Sequence, residues 1–180
     1  MTRGIVSEAI VLSSRPYSEA DKIVSLFSKN FGKITVIAKG VKRLKSRKRG
    51  SLEVFSYIKF SAHTGKGLPI ITETEMINNY SDLRKDLKRV SVAYFFAEVV
   101  LRTTRDEEKH EEVFDLLVYY LQKLEVEKSL KRLRNEFSIE LAETLGFIPK
   151  GAHVPDADEL LESIIERKLG SVRVGRKLQR

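Results

Sequence analysis

The chain has 180 residues, with 33 Lys+Arg against 25 Asp+Glu for a formal charge of +8, 42% hydrophobic and 32% charged. That length allows one ordinary domain or two small ones, and the apolar share is too high for intrinsic disorder. Cysteine is absent, which excludes disulfides, a thiolate nucleophile and Cys-ligated zinc or iron–sulfur centres. The densest apolar run, Val90 to Leu101, holds 12 residues and includes Ser91 and Glu98, well short of the ~20 that span a bilayer. The short run Ala9 to Leu12 after Glu8 is no signal-peptide core, so a cytoplasmic, nucleoid-associated location is expected.

In chain order, the first eighty residues read as five short strands: Ile5 to Leu12, Ile23 to Phe27, Ile34 to Ala38, Leu52 to Phe60 and Ile70 to Ile77. Each is rich in β-branched and aromatic residues. The punctuation between them is typical of turns, as in Ser13-Ser14-Arg15-Pro16 and Gly65-Lys66-Gly67. Ile34, Val36 and Ala38 alternate against Lys33, Thr35 and Ile37, the two-residue period of a half-buried strand. Five strands with no helix between them predict a small antiparallel barrel of the OB type.

From Ser81 the period becomes helical. Leu83, Leu87, Val90, Tyr94, Ala97 and Leu101 form a first stripe, with Asn79 or Ser81 as its N-cap. Phe114, Leu117, Leu121 and Leu124 form a second. A third runs from Leu130 through Phe137 to Leu145, with Gly146 as C-cap and Pro149 beyond. A fourth begins at Asp156 or Asp158, carries Leu160, Leu161, Ile164, Ile165 and Leu169, and stops at Gly170. The fold class is therefore α+β: an OB-fold domain over residues 1–80, then an all-α domain over 81–180 whose last ten residues are a frayed basic tail.

Charge divides along the same line. Residues 1–80 hold 14 basic and 6 acidic residues, whereas 81–180 hold 19 of each. Half of the first part's cations lie in one acid-free segment: Lys39, Lys42, Arg43, Lys45, Arg47, Lys48 and Arg49. Seven charges in eleven residues can track a phosphate backbone; the alternative is a solvated loop without a partner. Single-strand binders pair such a surface with aromatic faces for stacking, and Tyr17, Phe31 and Tyr57 are the candidates. No catalytic signature is present. His63, His110 and His153 are far apart, and Gly65-Lys66-Gly67 lacks the remaining residues of a phosphate loop. Glu73 and Glu75 share a strand face that could hold magnesium for nuclease chemistry, but paired acids on a strand are more often simply solvated. The expectation is a non-enzyme with no cofactor and no metal.

The chain also resembles the RecO family of bacterial recombination mediators. The resemblance runs through Ala9-Ile10-Val11-Leu12, Tyr17 to Val24, Phe31-Gly32-Lys33-Ile34, Ala38 to Arg43, Ser46-Arg47, Leu52 to Phe55 and Gly65 to Leu68. It continues through Leu83 to Leu87, Ala93 to Glu98 and Leu145-Gly146-Phe147-Ile148-Pro149. The order and spacing of these pieces are specific, although no single piece is. The resemblance implies an OB-fold and a helical domain, binding of single- and double-stranded DNA, and annealing of complementary strands. It also implies loading of RecA onto strands coated by single-stranded DNA-binding protein (SSB), together with RecR. RecF, RecA and the SSB tail are the further partners it implies. Its Ala-Lys-Gly segment places basic site residues on Lys39, Lys42, Arg43 and Arg47; Lys45, Lys48 and Arg49 are added by charge alone. Many members carry a four-cysteine zinc module after the Leu-Gly-aromatic-x-Pro segment. Here Lys150 to Asp158 follows with no cysteine, and the C-terminal side looks short for the family, which puts the SSB-tail contact most in question. An RNA-binding accessory protein and a protein-interaction scaffold are the rival readings.

Overall fold

The computed structural model describes residues 4–43, 46 and 48–165. They divide into two compact units, one of residues 4–79 with 104–114, the other of residues 80–103 with 115–165.

The first unit is a closed five-stranded barrel: β1 (Gly4–Pro16), β2 (Lys22–Ser28), β3 (Gly32–Ala38), β4 (Tyr57–His63) and β5 (Ile70–Asn78), in the spatial order β1-β2-β3-β5-β4. β1 is long because it serves two neighbours. Gly4 to Ile10 pairs with β4, and Ala9 to Pro16 pairs with β2. The register shifts between Val11 and Ser13; such a bulge bends and twists a strand, letting one strand turn the corner of a barrel. All pairings are antiparallel except the closure, where β3 meets β5 in parallel at Ile37 and Ile70. The alternation read in β3 holds residue for residue: Ile34, Val36 and Ala38 point into a core with Val11, Val24, Leu26, Ile58, Phe60 and Ile71.

The fourth strand is shorter than its apolar pattern predicts. It starts at Tyr57, and Leu52 to Phe55 form turns. Phe55 adopts φ 58°, a left-handed conformation that costs a residue with a Cβ ~1–2 kcal/mol. Its amide donates to the Val11 carbonyl at 2.7 Å, and the Val11 amide donates to Ser56 O at 3.0 Å. Leu52 and Phe55 are buried as the sequence suggests, but as a loop packed on the barrel. Apolar content alone does not separate these cases.

The second unit contains a 3-10 turn at Leu83–Lys85, α1 (Leu87–Thr103), most of α2 (Glu111–Val126), α3 (Leu130–Thr144) and α4 (Ala157–Ile165). The first stripe is interrupted. Leu83 is buried in the 3-10 turn, Leu87 is exposed, and Asp86 rather than Asn79 or Ser81 caps α1, its Oδ1 accepting the Lys88 amide at 2.8 Å. Phe96, Tyr120 and Phe137 meet at centroid distances of 4.2–5.9 Å to form the aromatic centre of the unit. Gly146, at φ 76°, ends α3 as expected: its amide donates to Glu143 O and that of Phe147 to Ala142 O, a complete Schellman motif. Asp156 caps α4 by accepting from the Asp158 and Glu159 amides. Arg134 forks onto the Asp158 carboxylate at 2.5 and 3.2 Å and lies 4.0 Å above the Phe95 ring, tying α4 to α3 and α1. The expected end of the fourth helix at Leu169-Gly170 and the basic tail lie outside the described residues.

Residues 104–109 run across the start of β3. Asp106 bridges to Lys33 in parallel, the Glu107 amide donates to Lys33 O at 2.8 Å, and Lys33 Nζ donates to Thr104 O at 2.6 Å. The approach requires glycine at position 32: a Cβ there would sit 1.9 Å from the Glu108 carbonyl oxygen, and φ is +66°. Gly32→Ala is expected to destabilise the barrel by at least ~2 kcal/mol, read as a lowered urea midpoint; an unchanged midpoint contradicts this packing.

Candidate nucleic-acid interface

The connector from β3 to β4 carries the basic run and is fixed at both ends. At its start, Gly40 turns the chain at φ 66°. The Gly40 amide donates to Asp21 Oδ1 at 2.8 Å, the Lys42 amide to Ala20 O at 3.0 Å, and Lys42 Nζ to Ser18 O at 2.7 Å. These partners belong to the β1–β2 turn. Val41 between them is buried in the barrel core. The Gly40 amide holds the Asp21 carboxyl below its ordinary range, with Ser18 and the charges of Lys39 and Arg43 adding to the effect. At its far end, Lys48 Nζ donates to Ile71 O at 3.2 Å, and Ser51 Oγ shares a 2.6 Å hydrogen bond with Thr74 Oγ1 on β5.

Lys39, Arg43 and Arg49 are exposed, and Lys42 and Lys48 are half-buried by the bonds just described. Lys45 and Arg47 lie outside the described residues. Tyr17 stands in the β1–β2 turn against which the connector is anchored, and it is 60% exposed. The structure thus brings Tyr17 to the end of the barrel that carries Lys39, Lys42 and Arg43.

The other two aromatics are placed differently. Phe31, 39% exposed, sits in the β2–β3 turn at the opposite end of β3, beside Leu68 and Lys109 in a second groove of about 620 Å³. The seven residues of β3, at ~3.3 Å each, separate that turn from the connector. Tyr57 is committed inside the unit, its hydroxyl donating to Glu8 Oε2 at 2.5 Å and its ring meeting Phe114 edge-on at 5.9 Å. Neither location was readable from local pattern, because facing depends on register and on a segment fifty residues further along.

A groove of about 830 Å³ opens beside the connector, with Arg43 and Lys48 on one side and Lys59, Glu73 and Glu75 among its other lining. No local pattern singles out Lys59, or Asp21 as the anchor of the run, since both assignments need the folded register. Among the described residues no three His, Asp or Glu side chains converge as metal ligands, and a sequence without cysteine lacks the donors of a four-thiolate zinc module.

A closed five-stranded barrel in the order 1-2-3-5-4 is an OB-fold, here with its cations gathered on the β3–β4 connector. Family models described as Recombination protein O N terminal and Recombination protein O C terminal match residues 1–80 and 84–154. A protein named DNA repair protein RecO from Geobacter metallireducens is 31% identical over 165 residues, which cover 92% of this chain and 68% of that protein. Proteins of the same name from Alkaliphilus metalliredigens and Pelotomaculum thermopropionicum are each 34% identical over 81% and 79% of this chain. The chain belongs to the RecO family. It spans 59% and 56% of the length of the latter two relatives.

The Asp21 anchor generates a prediction. A carboxyl depressed on folding stabilises the structure above its ordinary pKa of 3.8, and that contribution is lost as pH falls through the lower folded value. At neutral pH, Asp21→Ala is expected to speed tryptic cleavage at Lys39, Lys42 and Arg43 several-fold with the barrel intact by circular dichroism. Cleavage at the wild-type rate contradicts the anchoring.

Proposed function

We propose that the chain is a non-catalytic DNA-binding recombination mediator. In this reading it binds single- and double-stranded DNA, anneals complementary strands and, together with RecR, helps load RecA onto SSB-coated DNA. The observation that carries the proposal is the anchored connector with its acid-free basic run on an OB barrel, in a chain whose relatives are named as DNA repair proteins. The barrel region, residues 1–80, takes the DNA through Lys39, Lys42, Arg43, Lys45, Arg47, Lys48 and Arg49, with Tyr17 as the aromatic in the turn that holds Gly40 and Lys42. The helices of the second unit take the protein partners, with RecF, RecA and the SSB tail besides RecR. No described helix is long and apolar enough to cross a membrane, and the work is assigned to the nucleoid in the cytoplasm.

The mechanism needs no bond chemistry. Cations on the connector displace counterions condensed on the phosphates, and that release drives binding. They also screen the repulsion between two strands, so that base pairing supplies the free energy of annealing. Lys48 bonds the Ile71 carbonyl, so in this reading it fixes the loop as well as adding to the basic run.

The test is annealing and single-strand affinity across a salt series. Five phosphate contacts give a log–log slope of about −3.5, and each contact removed flattens it by ~0.7. A variant with Lys39, Lys42, Arg43 and Arg49 changed to Gln or Ser is expected to bind more weakly with a flatter slope. Wild-type affinity in the folded variant overturns the assignment. Stronger binding of single-stranded RNA than of DNA of the same length and sequence would move the protein to the RNA-binding class.

A further inference from the structure

The groove beside the connector is lined by cations of the connector, the Lys48 ammonium reaching the Ile71 carbonyl of β5, and by a strand face of mixed charge. Arg43 and Lys48 line it from the connector. The outer face of β4 and β5 lines it from the other side, where Lys59 stands opposite Glu75 and Ser61 opposite Glu73 across the strand pair. Both carboxylates are exposed, and neither has an ion-pair or hydrogen-bond partner among the described residues. A phosphate backbone is favoured along Arg43 and Lys48, whereas a backbone laid over β5 would meet two carboxylates with only Lys59 beside them. A single strand has its backbone on one side and its base edges on the other.

We infer that this groove takes single-stranded DNA with its backbone along the Arg43–Lys48 side and its base edges over β5, where Glu73 and Glu75 read exocyclic amino groups. An ionised carboxylate only accepts hydrogen bonds, and it is the partner suited to the N4 amino group of cytosine. Thymine offers two carbonyl oxygens around a single N–H and meets the same acids with repulsion. The Lys59 ammonium, one strand over, supplies a donor for the ring nitrogen and carbonyl beside that amino group. Glu73 and Glu75 are thus specificity residues, favouring cytosine over thymine. This inference rests on the DNA-binding reading above and adds to it the strand number, the orientation and the base preference.

The experiment compares labelled oligo(dC) and oligo(dT) of equal length, at low salt with EDTA, on the full chain. One good carboxylate–amino contact predicts about fivefold tighter binding of oligo(dC). Glu73→Gln with Glu75→Gln, both on an exposed strand face, is expected to erase that preference chiefly by tightening oligo(dT) binding, because Gln also donates. Arg43→Ser is expected to weaken both oligomers equally, as loss of a phosphate contact does. Equal binding of the two oligomers by the wild type, or a preference that survives the double substitution, overturns base reading while leaving DNA binding intact. Binding of neither oligomer overturns both.

Discussion

The position of the basic connector follows from the way the barrel closes. β3 and β5 run parallel and meet at one register point, Ile37 opposite Ile70, reinforced by the Ile37 amide donating to Pro69 O at 2.8 Å. β5 lies between β3 and β4 in the barrel, so the chain leaving β3 must pass the end of β5 before it enters β4. That travelling segment, residues 39–56, is where the cations are. It is not a free loop, because Asp21 holds its first turn and β5 its last through Ile71 and Thr74. The acid-free stretch 39–49 concentrates the charge, and the anchors on Gly40, Lys42, Lys48 and Ser51 limit where the segment can go.

OB barrels commonly bind ligands across the faces of their second and third strands. Part of that surface is already occupied here. At the start of β3, Gly32 and Lys33 are crossed by residues 104–109, and the Lys33 ammonium is spent on Thr104 O and Asp106. The other end of β3 meets β5 at Ile70 and leads into the connector, where Lys39 and Arg43 are exposed. Positive potential and accessible surface therefore coincide at one end of the strand.

Most of the fold was readable where a rule is local. The alternation of β3, the second and third helical stripes, the Gly146 cap and the Asp156 cap all depend on residues within a few positions of one another, and each is found as its pattern implies. The failures share a cause. Leu52 and Phe55 are as apolar as strand residues, but Phe55 bonds to Val11, forty-four positions earlier, and takes a turn conformation to do so. Leu83 and Leu87 keep helical spacing, yet Asp86 competes for the backbone between them and starts the helix late. The connector's charge was plain from composition. Its neighbours Lys59, Glu73 and Glu75 were not, since they join it only through the register of β4 and β5. Tyr57 looked like a surface aromatic because its partner, Phe114, belongs to another stretch of chain.

The contact of Gly32 with Glu108 has a consequence for biosynthesis. Domains of a nascent chain generally fold as units from the N-terminus, and here the five strands are complete once Asn78 has left the ribosome. The stretch that packs on β3 comes only after the whole of α1 has been made. During that interval the barrel exists with the start of β3 uncovered and Lys33 without its partners on residues 104–106, a strand margin of the kind prone to pairing with other chains. Folding of this unit thus ends later than its sheet does, and its last step waits on translation of the first long helix.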